Sequence, residues 1–73
     1  DFDEAIRLDP QYVAAYSNRG VALSRLGRPE QAIRDFDEAI RLDPQNALAF
    51  YNRGYAHLRL RQQNGELTTH RHD

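Results

Sequence analysis

Cysteine is absent from the 73 residues, so no disulfide and no thiolate chemistry is available. No apolar run approaches the roughly 20 residues of a membrane-spanning helix, and the acidic opening Asp1-Phe2-Asp3-Glu4 is unlike a secretory signal. Lysine is missing too; every one of the ten basic residues is arginine. The net charge of −1 excludes bulk attraction to nucleic acid. Glycine and proline are scarce, at four and three residues, so their positions carry information. No glycine-rich phosphate loop is present, nor a basic stripe interleaved with aromatics. Serine has no nucleophile context. The carboxylates are accounted for by helix pairing and helix ends, which leaves no acid–base pair and no reason to expect an enzyme. No cofactor is expected.

What is present is repetition. Asp1 to Gln11 returns unchanged as Asp35 to Gln45, and Asn18-Arg19-Gly20 returns as Asn52-Arg53-Gly54. At an offset of 34, residues 1–26 give 18 identities and residues 27–39 give none. A fixed period in this range marks a solenoid array. Charge is uneven along it: residues 1–11 sum to −3, residues 12–46 to zero, and residues 47–73 to +2.

The periodicity predicts helices over 1–9, 13–26, 29–42 and 47–63, with no strand. Ala32, Ile33, Phe36, Ala39 and Ile40 make one apolar stripe. Asp9-Pro10 and Asp43-Pro44 end helices, because the residue before proline is pushed out of the α region. Gly27 suits a helix C-terminus, Pro29 a first helical position and Asn46 an N-cap. Arg61 stands where the turn glycine is expected, so the last helix should run on to Gln63 and stop at Asn64-Gly65. Asp3–Arg7, Glu30–Arg34 and Asp37–Arg41 are spaced for i,i+4 ion pairs. Gly20, in mid-helix, implies close approach of a neighbour, with Ala32 as the expected contact.

Tyr16, Gly20, Leu23, Ala32, Phe36, Ala39 and Pro44, followed by Phe50 and Gly54, resemble the tetratricopeptide repeat family. Arg19 and Arg53 depart from its usual Leu, and Leu23 and His57 from its usual Tyr. The resemblance implies an all-α fold of antiparallel helix-turn-helix repeats, an α-solenoid wound as a right-handed superhelix. One complete repeat (13–46) lies between two half repeats (1–12 and 47–63). Together they form a domain over 1–63, followed by a polar tail, 64–73, expected to be disordered. His57 takes the place of a packing aromatic and is expected to be half-buried. His70 and His72 on the tail are too few ligands for a structural metal site, so no metal is expected.

The resemblance further implies a non-enzymatic module that binds protein or peptide segments on its concave face. Helical geometry puts Ser17, Asn18 and Val21 of one unit, and Leu48, Tyr51, Asn52 and Tyr55 of the next, on that face. Asn18 and Asn52 either hydrogen-bond a peptide backbone or bridge neighbouring helices. The chaperone-binding subgroup of the family uses lysines that are absent: Ser17, Tyr51 and Leu48 stand in their places. Two alternatives stay open. One is a purely structural self-assembling repeat with no peptide ligand. The other, an RNA-binding helical repeat, is disfavoured by the charge. Self-association is expected through Phe2 and Ile6 at one end and Phe50, His57 and Leu58 at the other. It would give a closed dimer or head-to-tail stacking. A cytoplasmic location is expected, with neither membrane nor nucleic acid as partner.

Overall fold

A computed structural model describes residues 1–65; the expected disordered tail falls largely outside the described residues. Four α-helices follow one another: α1 (Phe2–Leu8), α2 (Val13–Arg25), α3 (Pro29–Leu42) and α4 (Ala47–Gln63). No strand occurs among the described residues. The predicted helix boundaries hold to within about one residue, as local end chemistry should dictate.

Each boundary has a cause. Asp1 caps α1 by accepting from the Glu4 amide at 2.8 Å, and Asn46 caps α4 by accepting from the Ala49 amide at 3.1 Å. Asp9 and Asp43 leave the helical region with extended backbone, and each carboxylate accepts from the amide two residues on, at 3.1 and 3.2 Å. Helix α2 closes with Gly27 at φ +80°. There the Gly27 amide donates to the Ser24 carbonyl and the Arg28 amide to the Leu23 carbonyl. That pair of hydrogen bonds is the Schellman arrangement, which glycine enters without a Cβ penalty. Pro29 then opens α3 where no amide proton is needed. Helix α4 lacks that glycine and does run on to Gln63, ending at Gly65 with φ +81°.

Helix α3 is the centre. It packs most extensively against α2 and α4, while α1 packs on α2. The core cluster is Ala32, Phe36 and Ala56, with Val21, Leu23 and Ile33 packed around it. Ala15, Ala39 and Ala49 are also buried. The small residues let helix axes approach, and Phe36 is the largest fully buried side chain.

The atoms nearest to Gly20 belong to Phe36, one turn beyond the expected Ala32, which is buried in the same core cluster. A Cβ at residue 20 would lie 2.6–2.9 Å from three atoms of the Phe36 ring. Residues 32 and 36 share one stripe of α3, and it is the ring one turn further on that reaches over the glycine. Gly20→Ala should therefore cost stability, on the order of 1–2 kcal/mol net. Overpacking costs about 1–3 kcal/mol and outweighs the roughly 1 kcal/mol of helix propensity gained. A urea titration showing a gain would contradict this packing.

The i,i+4 ion pairs expected along single helices do not form. Arg7 bonds Glu4 and Arg41 bonds Glu38, each at i,i+3. Glu30 and Arg34 make no ion pair with each other. The acids Asp3 and Asp37 turn instead to the next helix. Asp3 takes Arg19 at 2.9 Å and Asp37 takes Arg53 at 2.7 Å, the same bond one repeat apart. Arg41 holds the Glu38 carboxyl below its ordinary range by hydrogen bonding.

The arginines that replace the family's Leu are thus inter-helix connectors. Arg19 also forks onto Asp35 of α3, with Nε and Nη2 each donating at 2.8 Å. Asp35 is only 5 % exposed, and Arg19 is held well above the ordinary arginine range, chiefly by its hydrogen bonds to Asp35. The guanidiniums stack as well: Arg19 over Tyr16 at 5.9 Å and Arg53 over Phe50 at 5.2 Å.

Candidate interaction groove

Helices α2 and α4 stand side by side on one face of α3 and enclose a groove of about 300 Å³. Val21, Ser24 and Arg25 line it from α2, and Tyr51, Asn52, Tyr55 and Arg59 from α4, with Phe36 reaching it from α3. Part of the lining repeats because the helices do: Val21 matches Tyr55 and Arg25 matches Arg59 at the offset of 34.

Four expected groove residues, Val21, Tyr51, Asn52 and Tyr55, are brought together here. Three are not. Ser17 is half-buried, Asn18 is exposed, and Leu48 is 63 % exposed, all outside the lining. Neither Asn18 nor Asn52 hydrogen-bonds another described residue through its side chain, so neither amide is used as a bridge between helices. Ser24 Oγ, like Ser17 Oγ outside the groove, is buried with no hydrogen-bond partner among the described residues.

Arg25, Arg59 and Phe36 escaped the reading from sequence. The signal for the arginines was there: each lies four residues beyond a lining residue, and the two recur at the repeat offset. Arg59 lies 5.8 Å from the Tyr55 ring centroid. No carboxylate lines the groove among the described residues, whose two guanidiniums stand beside two phenols and an amide.

A larger cleft, about 460 Å³, opens between α1 and α3 across α2. Its arginines, Arg19, Arg28 and Arg34, face Asp3 and Asp35, and Arg19 is already bonded to both acids. It is a seam of the fold.

The expected end patches are exposed to different degrees. Phe2 is 39 %, Phe50 44 % and Leu58 40 % exposed, while Ile6 is half-buried. His57 is exposed rather than half-buried: among the described residues no helix covers that side of α4, as α3 covers α2. No group of three His, Cys, Asp or Glu that could hold a metal occurs among the described residues. His70 and His72 lie outside them. No described helix is long and apolar enough to cross a membrane.

Antiparallel paired helices, a 34-residue recurrence and a groove lined in part from equivalent positions of two helices define a helical-repeat protein. Two family models match, each described as a tetratricopeptide repeat, over residues 13–46 and 36–69. The chain belongs to the tetratricopeptide repeat family. Repeats of this family mediate protein–protein interaction. No curated protein matches the chain. No solved structure matches it.

Proposed function

We propose that residues 1–63 form one non-enzymatic interaction domain whose α2–α4 groove takes an extended, acidic peptide segment of a partner protein. The observation that carries this reading is the lining itself. Asn52 offers both a donor and an acceptor to a peptide backbone, Tyr51 and Tyr55 offer aromatic area one turn apart, and Arg25 and Arg59 flank them with no opposing carboxylate among the described residues. Guanidinium groups bind carboxylates as paired donors, which sets the preference for acidic side chains. The proposed compartment is the cytoplasm.

An array of extended peptides of varied charge should yield binders enriched in Asp and Glu. For such a binder, Asn52→Ala and Tyr55→Ala should each weaken affinity about tenfold, the loss of a central contact. The helical circular-dichroism signal should not change. Arg34→Ala, on α3 and outside the groove, should leave affinity unchanged. Equal losses from all three variants would place the site elsewhere.

The module is also proposed to self-associate, because Phe2, Phe50 and Leu58 leave apolar surface uncovered. A chain that assembles but selects no peptide from the array would favour the purely structural reading.

A further inference from the structure

Helix α4 has 17 residues where its equivalent α2 has 13, and one hydrogen bond uses the extra turn. At the repeat offset Arg61 matches Gly27, the glycine whose left-handed backbone closes α2. A glycine at 61 would end α4 near Arg59, as α2 ends at Arg25. Gln63 would then fall at the place of Pro29, the first residue of the following helix. Arg61 instead carries the helix on to Gln63. From there the Gln63 side chain reaches the α2–α3 turn, and its Nε2 donates to the Gly27 carbonyl at 3.1 Å. The donor belongs to one wall of the groove, and the acceptor to the turn that ends the other.

The bond sits beside the basic residues of the lining. Arg25 is two residues before Gly27. Arg59 is four before Gln63, one turn back on the same side of α4. Helices α2 and α4 touch each other far less than either touches α3, so little packing of their own fixes the gap between their C-terminal ends. Two guanidiniums set on facing walls also repel each other, and a bond between the walls opposes that spreading. Arg59 is already steadied over the Tyr55 ring. What is left to fix is its distance from Arg25.

We infer that Gln63 is a positioning residue of the groove: by tying the end of α4 to the turn after α2, it sets the spacing of Arg25 and Arg59 and so the tightness with which an acidic segment is held. This rests on the acidic-peptide reading of the groove proposed above. It requires no contact between Gln63 and the peptide. A segment whose carboxylates bridge two arginines binds less tightly when their spacing is not held beforehand, because that freedom has to be removed on binding. The replacement of the turn glycine by Arg61 is then more than a local lengthening of α4, since it is what brings the Gln63 amide within reach of Gly27.

The test uses the full chain, the tightest acidic peptide from the array as probe, and Gln63→Met, which keeps the length of the side chain and removes its donor. That substitution should weaken the peptide about fivefold, the worth of one ordinary hydrogen bond. In an Arg59→Ala background it should change affinity by less than about twofold, because a single arginine has no spacing to keep. Gln63 is exposed, so the urea midpoint and the helical circular-dichroism signal should stay at the parent values. The chain has no cysteine, so nitroxide labels can be placed at Leu26→Cys and Gln62→Cys, both exposed positions at the ends of the two walls. The distance distribution between the labels should be narrow in the parent and broader with Gln63→Met. A distribution that does not broaden, an acidic peptide indifferent to Gln63→Met, or an equal loss in both backgrounds would overturn this inference and leave the groove reading standing. An array that yields no acidic binder would overturn the groove reading, and this inference with it.

Discussion

Phe36→Ala is expected to leave the chain without a cooperative thermal transition. The ring is 1 % exposed and is the only large side chain among the described residues that is fully buried. It fills the space over Gly20 and packs with Ala32 and Ala56, so it joins α2, α3 and α4 at once. Removing a buried phenylalanine costs about 3–5 kcal/mol. A single core in a chain of this size supplies about 3–5 kcal/mol in all. The loss therefore matches the whole stability, and the neighbouring alanines have no volume with which to collapse into the gap. Phe36→Leu, which keeps most of the volume, should retain a transition at a lower midpoint. A melt of Phe36→Ala within a few degrees of the parent would mean that the helices are held together elsewhere.

The elements that could be read before the structure are those fixed by local backbone chemistry. Asp-Pro stops, the glycine turn at Gly27, the Asn46 cap and the run-on of α4 past Arg61 each depend on a few adjacent residues. The half of the groove found by helical geometry, Val21, Tyr51, Asn52 and Tyr55, depends only on the angle between residues on one helix. What could not be read depends on a second helix. Asp3 and Asp37 are spaced for Arg7 and Arg41 on their own helices, yet they bond Arg19 and Arg53 across the packing, because long guanidinium side chains reach sideways as easily as along. The clue was arithmetic: both bonds span 16 residues and recur at the repeat offset. Likewise Gly20 announces a close neighbour without saying that the Phe36 ring, one turn beyond Ala32, comes nearest. The exposure of His57 is set by what covers α4, and no residue of α4 itself encodes that.

Arg19→Leu, although it restores the residue the family usually carries, is expected to destabilise the fold by about 3 kcal/mol. The substitution strands Asp35, whose side chain is 7 % exposed and whose two oxygens both accept from Arg19. Breaking a buried pair from one side costs about 3–5 kcal/mol because an uncompensated charge remains inside. The lower end applies here, since the Arg19 side chain is itself 31 % exposed and solvent already screens part of the pair. The double variant Arg19→Leu, Asp35→Leu should return to within about 1 kcal/mol of the parent, because apolar packing in place of both charges removes the stranded carboxylate as well as the bond. Asp3→Asn is the control. It breaks the other bond of Arg19, but Asp3 is 79 % exposed in its side chain, so the cost should stay under about 1 kcal/mol. Urea unfolding of the three variants and of Asp35→Leu alone closes a double-mutant cycle with a coupling of about 2 kcal/mol or more. If Arg19→Leu cost under about 1 kcal/mol, or if the double variant were no better than the single one, Arg19 would not be the tie between α2 and α3.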